Sequence, residues 1–391
     1  MQHVGSAEIF DLVVVGASFA GLVAARTAAM RGLKVAVLEA KPRPGARVST
    51  TGILVKEAAE EIDLPHDLTR RVYGVRLYAP NLTHTDLFAP GYFFLTTRTG
   101  PLLEWLAREA IRAGARLYLG VRFRGAEREA GLIHLPEPGI STRYLIGADG
   151  ARSRVATCFG LGRNTRFLVG LESEHEGLAG VDPRFLHCFI DSRLAPGYLA
   201  WVAPGPAVTQ VGLAVSQSAT PDLAAFKNRT AHLFDYARST IIERRSGRIP
   251  VGGIVRPFAA PGVLLVGDAA GLVSPMTGGG IRLAFHFGRR AAQAVADHLL
   301  HLGPPPEAVL APELPGFGLK GLLRRLLELR PPNALIDLGL GTAFMRPVAQ
   351  HLYFHRRGGK GMTFADFERQ LTAQREWIDA VAGEEPVERK C

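Results

Sequence analysis

Residues Gly267–Ile281 read GDAAGLVSPMTGGGI, which sets one carboxylate, Asp268, ahead of three consecutive glycines. Such a pair holds a ligand rather than attacking one. Asp268 can accept a hydrogen bond from a hydroxyl-bearing group. Gly278, Gly279, Gly280 and Ile281 can offer unobstructed backbone amides at the positive end of the helical run IRLAFHFGRRAAQAVADHL, where an anion is stabilised. A second glycine pair, Gly16-Ala-Ser-Phe-Ala-Gly21, has the spacing of a pyrophosphate-binding turn. Its middle glycine is replaced by Ser18, which stays small and adds a hydroxyl within reach of a phosphate. Phe19 and Ala20 complete the turn. Glu39 lies twenty-three residues beyond Gly16, with Ala40 and Lys41 behind it, where a carboxylate accepts hydrogen bonds from ribose hydroxyls. A third motif, Gly147-Ala-Asp149-Gly150, brings another carboxylate to a strand end. The alternative for all three is tight helix–strand packing, with Asp268 as a helix cap and Glu39 as a solvated strand end.

The surrounding elements must bring these motifs together. DLVVV at 11–15 reads as a buried strand, LVAARTAAMRG as a helix closing at Gly32, and KVAVLEA as a second strand, so residues 10–40 form a βαβ unit. YLI and VLLV are further apolar strands that end at Gly147 and Gly267. In an open α/β sheet, ligands gather where such strands end. YGVRLYAP (73–80) and GYFFLTTR (91–98), divided by the polar NLTHTD, read as a hairpin. FLVGLE, FLHCFID, YLAWVAP and TQVGLAV, between 165 and 215, read as an antiparallel sheet, and 221–238 as a helix. The expected fold class is α/β: a Rossmann-like domain from 1–70, 97–160 and 255–310, an inserted antiparallel-sheet substrate domain from 71–96 and 161–254, and a helical C-terminal region, 311–391. In that last region Leu319, Leu322, Leu323, Leu326 and Leu327 form one apolar face, with Arg324 and Arg325 off it. We expect this face to pack on the Rossmann-like domain, or to meet a membrane surface.

Composition narrows the classes. The chain has 391 residues, 47% of them hydrophobic, enough for a large core. It contains no long uninterrupted apolar run and no signal-like start, so a cytoplasmic protein is expected, or one peripheral to the inner face of the membrane. Three scattered cysteines, Cys158, Cys188 and Cys391, lack the spacing of a metal site or a disulfide framework. The net charge is +10 with a pI near 9.8. Residues 317–360 hold eight basic residues against two acidic ones, a surplus of six. No aromatic interleaving or known module accompanies these charges, so nucleic acid is not the expected partner.

NAD and FAD both suit the first motif. The extra carboxylates favour FAD, whose ribityl chain offers hydroxyls and whose ring becomes negative on reduction. GASFAG, Glu39, GADG and above all GDAAGLVSPMTGGGI resemble the FAD-dependent oxidoreductases with the aromatic-hydroxylase fold, and within them the geranylgeranyl reductase group, over about the first 310 residues. The resemblance implies a two-domain FAD protein that saturates isolated double bonds of prenyl chains; related proteins hydroxylate, halogenate or handle quinones. It also implies that Arg98, where a helix begins near Pro101, lies near the flavin or its phosphates.

The chain departs from the pattern in three places. The arginine expected after Ser153 is missing, with Arg152 and Arg154 as stand-ins. Ser49-Thr50-Thr51-Gly52 stands where the reductases carry a cysteine. Tyr198-Leu-Ala-Trp201-Val-Ala-Pro204 only partly matches a substrate-side Tyr-x-Trp-x-Phe-Pro strand, and a Tyr198 displaced by one residue would point to the opposite face from its usual one.

Tyr198, Trp201 and Thr50 are therefore the catalytic candidates, and His187 a further candidate acid. The leading expectation is a reductase of an apolar or lipid substrate, with hydride from reduced FAD. The alternatives are a flavin monooxygenase acting on a lipid or aromatic, and a membrane-surface flavin electron carrier. With one dinucleotide-binding unit, electrons come from transiently bound NAD(P)H or from a ferredoxin-like protein.

Overall fold

The computed structural model describes residues 8–340, 345–354, 366, 368, 369 and 372. Cys391 lies outside them. A large sheet holds the glycine motifs. Its central strands, Val263–Leu265, Ile140–Gly147, Glu8–Val15, Val35–Glu39 and Arg116–Leu119, run parallel in that spatial order. Val13, Val14, Val37, Leu145, Ile146 and Leu264 are fully buried, as parallel strands covered on both faces require. The first helix, Phe19–Met30, crosses against the long helix Ile281–Leu299. Gly288 makes the approach possible, because a Cβ there would lie 2.5 Å from the Ala20 carbonyl oxygen. The Phe19 and Phe285 rings meet edge to face at 5.5 Å.

A seven-stranded sheet forms the second layer. Its strands follow the order 240–250, 167–176, 209–216, 200–204, 185–189, 74–78 and 84–88, antiparallel except for the pair 185–189 and 74–78. One face is closed by Phe226 and Phe234 over Val202, Val211, Leu213 and Val215. Leu168, Trp201, Ala203 and Ala214 line the other. The four strands expected between 165 and 215 are all present. The helix expected over 221–238 is shorter, Leu223–Thr230, followed by a single 3-10 turn at Tyr236–Arg238.

The expected hairpin pairs differently. Gly74–Tyr78 pairs with His84–Phe88, the stretch taken as a polar divider, and Arg76 holds Asp86 through two hydrogen bonds across the pair. Phe94–Thr97 instead joins Ile53–Val55 and Thr69–Val72 in a small third sheet. An alternating strand with polar residues on its outer face resembles a turn when only composition is considered.

The C-terminal helices Gly318–Glu328, Asn333–Leu340 and Met345–Phe354 pack on the second layer, not on the Rossmann-like domain. Phe354 sits against Tyr92 and Phe94, and Asn333 bonds Asp191 and Ser192. The Gly318–Glu328 helix is inverted relative to expectation. Arg324 is 1% exposed, while Leu322, Leu326 and Leu329 are 56%, 52% and 76% exposed. No helix among the described residues is long and apolar enough to cross a membrane.

Candidate functional site

Each glycine motif occupies a place where a side chain would collide. Gly16 has φ +105°, and a Cβ there would lie 2.5 Å from the Ala148 carbonyl oxygen; one on Gly21 would lie 2.0 Å from the Gly16 oxygen. Ser18 caps the first helix, its hydroxyl accepting from Gly21 N and donating to Ala148 O. The hydroxyl expected at a phosphate thus ties the first motif to the GADG turn. Asp149 stays within that turn, where its carboxylate accepts from the Ser153 hydroxyl and from the amides of Arg154 and Val155. Burial raises its pKa against those hydrogen bonds. Arg152 and Arg154 are exposed. Glu39, buried at the second strand's end, accepts 2.8 Å bonds from the amides of Ala17 and Lys41. Its carboxylate therefore lies beside the first helix, as a ribose partner must.

Val263–Leu265 delivers Asp268 to the same strand ends. The carboxylate is exposed along the cleft, yet the protein around it pushes its pKa up to about 6, with desolvation as the cause. No described residue donates to it. The following loop is closed by bonds from Gly278 N to Ser274 O and from Ser274 N to Gly279 O. The Gly278 amide is therefore occupied, contrary to expectation. The amides of Gly279, Gly280 and Ile281 precede the first helical bond, from Ala284 N to Gly280 O, and remain at the helix's positive end.

The inner face of the second sheet closes over these strand ends. Gln210 donates to Thr51 O at 2.7 Å, and Thr96 to Pro204 O at 2.6 Å. Gly247 passes so close to Ser49 that a Cβ would lie 2.4 Å from its carbonyl oxygen. The Ser49–Gly52 loop is thus pressed onto the sheet. Beside it lies a dry cluster that sequence reasoning missed: Glu172, Glu174 and Arg245, respectively 5%, 7% and 7% exposed. Arg245 contacts Glu174 at 2.7 Å, Glu243 at 2.8 Å and Glu172 only at 3.5 Å. Trp201 Nε1 donates to Glu172 Oε2 at 3.1 Å, while Oε1 is buried and accepts no hydrogen bond. Burial raises the Glu172 pKa, opposed by Thr51, Arg245 and Trp201. Burial raises the Glu174 pKa as well, so two dry carboxyls share the Arg245 guanidinium, with Glu172 the farther of the two and Glu243 partly open to solvent. A signal for this was present in FLVGLESEHE, whose glutamates at 172 and 174 alternate onto one face.

The NAD(P)-binding Rossmann-like domain family matches residues 14–83, and the FAD binding domain family matches residues 105–300. Digeranylgeranylglycerophospholipid reductase 2 of Methanosphaera stadtmanae is 31% identical over 73% of this chain and 79% of its own. The digeranylgeranylglycerophospholipid reductase of Methanothrix thermoacetophila is 33% identical over 73% and 78%. The chain belongs to the geranylgeranyl reductase family. Among solved structures, a geranylgeranyl bacteriochlorophyll reductase-like protein from Thermoplasma acidophilum aligns with TM-score 0.75 at 24% identity, covering 90% of this chain and 98% of that one. The flavin-dependent brominase Bmp2 shares the fold, with TM-score 0.67 at 16% identity over 95% of this chain and 100% of its own. The reductase is an FAD-dependent oxidoreductase, and its residues fit that cofactor. The glycine turn would leave room for the pyrophosphate, Glu39 at the second strand's end would hold the ribose, and Asp268, with no donor among the described residues, would take a ribityl hydroxyl.

The remaining candidates in the reductase separate into two groups. Thr50 lies half-buried in the loop against the sheet, and Trp201 stands on the inner face, its indole over Gly212, where a Cβ would lie 2.5 Å from the ring. Tyr198 precedes the strand, which begins at Ala200, so strand alternation does not govern it. It packs in the same apolar cluster as Trp201, not on the opposite face, and its hydroxyl donates to Thr277 O in the cofactor loop. Arg98 is exposed at the start of the Thr99–Arg112 helix, and its charge reaches Glu174. His187 points away from this face. It bonds Tyr78 and the Asp182 carbonyl oxygen, and burial lowers its pKa to about 4, as in a core residue. Lys41 bonds the Arg47 carbonyl oxygen, and desolvation lowers its pKa. No group of ligands that could hold a metal occurs among the described residues.

Proposed function

We propose that this reductase saturates carbon–carbon double bonds of a prenyl lipid, with Glu172 as the proton donor. The supporting observation is a buried carboxyl whose pKa desolvation raises, with Oε1 accepting no hydrogen bond and only the distant Arg245 guanidinium facing it, beside the Ser49–Gly52 loop. FAD, when reduced, supplies hydride to one carbon of the double bond. Glu172 gives its proton to the other carbon, which completes the two C–H bonds, and the resulting carboxylate is stabilised by Arg245 until a solvent proton replaces the one lost. Trp201 orients the carboxyl through its indole N–H. This role answers the missing cysteine, because an acid on the facing sheet takes the place of a thiol in the loop. The named relatives are reductases, whereas the monooxygenase alternative rests on fold likeness alone.

The test is anaerobic. The holoprotein is reduced with dithionite, mixed with a digeranylgeranylglycerol lipid, and followed for the return of oxidised flavin absorbance, with the product weighed by mass spectrometry. Reoxidation with a product heavier by two hydrogens per double bond is expected. Flavin that stays reduced until oxygen enters refutes the reading.

Peripheral membrane contact is part of this proposal. Leu322, Leu326, Leu329, Leu335 and Leu338 are exposed beside Arg325 and Arg330, an apolar surface with basic neighbours suited to an anionic leaflet. Co-sedimentation with anionic vesicles, lost on converting Leu326 and Leu329 to serine, tests it; equal pelleting of both proteins removes it. Electrons come from NAD(P)H or a ferredoxin-like protein, which anaerobic reduction by each donor separates.

A further inference from the structure

The helix Gly318–Glu328 buries a cation that the protein only partly neutralises. Arg324 Nε donates to Glu328 Oε1 at 3.3 Å, but Glu328 is shared with Arg166, which bonds its other oxygen. Two guanidiniums and one carboxylate leave a local surplus of one positive charge. Arg324 Nη1 and Nη2 are buried and have no hydrogen-bond partner. Burying two unpartnered guanidinium nitrogens is costly even with the Glu328 pair at Nε, and the helix carries leucines that could have taken the inward position. An arrangement that turns leucine outward and arginine inward is stable when an anion completes it.

The place is specific. Gly197, at φ +81°, leaves room for the guanidinium, since a Cβ there would lie 3.4 Å from Nη2 and 3.2 Å from Ser216 Cβ. The next residue is Tyr198, whose hydroxyl reaches Thr277 O in the cofactor loop and whose ring lines the apolar cluster with Trp201. The free Nη pair is therefore one tyrosine away from that loop, at the edge of the apolar face. A guanidinium fork matches two oxygens of a phosphate.

We propose that Arg324 is the recognition site for a phosphate group on the polar end of the substrate, fixing which double bonds lie over the cofactor loop. This inference rests on the reductase reading above. The source of the phosphate is either the lipid's own headgroup or a free anion, and the experiment separates them.

The holoprotein and its Arg324→Met and Arg324→Lys variants are assayed with a digeranylgeranylglycerol phosphate ester and with the matching neutral digeranylgeranylglycerol. The Arg324→Met protein is expected to raise KM for the phosphorylated lipid roughly 10- to 100-fold, with its kcat and the neutral lipid's KM little changed. Arg324→Lys keeps the charge without the fork and recovers part of the loss. In parallel, inorganic phosphate raises the melting temperature of the wild-type holoprotein and not that of Arg324→Met, a readout independent of turnover. Loss of the phosphate-dependent melting shift together with an equal KM change for both lipids overturns the headgroup assignment. No difference in either readout overturns the site. If neither lipid is reduced by the wild-type protein, the reductase reading fails, while a phosphate shift abolished by Arg324→Met still supports the anion site.

Discussion

Asp268 offers the sharpest test of how the site is built, because a carboxylate placed to bind the cofactor should destabilise the protein without it. Its pKa in the folded chain is about 6, against 3.8 for an ordinary aspartate. A group whose folded pKa is raised favours the native state when protonated. Its contribution is full below the unfolded pKa and is lost as the pH rises from 3.8 through 6. About two units at 1.36 kcal/mol each would cost the apoprotein about 3 kcal/mol at neutral pH. The side chain is open to water along the cleft, so screening reduces this to about 1 kcal/mol. Asp268→Asn removes the charge and keeps the shape. Urea denaturation of FAD-stripped protein should show the variant about 1 kcal/mol more stable than wild type at pH 7.5, with the two converging near pH 4. With FAD the order reverses. A ribityl hydroxyl bonded to the carboxylate is worth roughly 1.5–3 kcal/mol, so the variant should bind FAD about 10- to 100-fold more weakly by flavin fluorescence titration. Parallel pH profiles for the two apoproteins, or unchanged FAD affinity in the variant, would refute the assignment of Asp268 as a desolvated cofactor ligand.

Other consequences follow from the same geometry. Glu172→Gln should leave flavin reduction intact but slow its reoxidation by prenyl lipid about 100-fold in stopped flow, the usual weight of a positioned acid; an unchanged rate removes Glu172 from proton delivery. Gly52→Ala places a Cβ 2.1 Å from the Thr99 hydroxyl at φ +79°, and should cost about 2–3 kcal/mol in thermal unfolding, together with looser FAD binding. The buried histidines His175 and His187 each have a pKa lowered to about 4, chiefly by desolvation, so they stabilise the fold above pH 6.5 and lose that contribution as the pH falls from 6.5 towards 4. His187→Asn should flatten the acid limb of a stability–pH profile by about 2–3 kcal/mol relative to wild type; an equally steep limb would place the titration elsewhere.

The cofactor half of the site was legible because its determinants are local. A buried strand, a glycine turn, a helix and an acid at the next strand's end lie within residues 10–40, and backbone sterics alone require Gly16 and Gly21. Asp268 was visible for the same reason, as a carboxylate at the end of an apolar strand. The substrate half depends on register between distant strands. Glu172 meets Arg245 because 167–176 pairs antiparallel with 240–250, and it meets Trp201 across the intervening strand 209–216. Nothing near Glu172 in the sequence marks it as facing a dry interior rather than solvent. Ser18 and Asp149 show the limit within the local motifs themselves: both residue types fit a phosphate-binding turn, yet Ser18 ties the first turn to the second and Asp149 braces its own turn through Ser153, Arg154 and Val155.

The Gly318–Glu328 helix exposes a different limit. Periodicity identifies which residues of a helix share a face, but the choice of inward face is made by what it must cover. Five leucines and two arginines gave a clear stripe, and the usual economy of burial put the leucines inside. Arg324 instead turns inward beside Gly197 and Ser216, while Leu322, Leu323 and Leu326 face solvent together with Arg325. Under the two proposals above, a lipid whose phosphate reached Arg324 would come from a membrane, and the same helix would present its exposed leucines to that membrane. The two features should therefore be lost separately: serine at Leu326 and Leu329 should weaken vesicle binding while leaving the phosphate-dependent melting shift, and methionine at Arg324 should do the opposite.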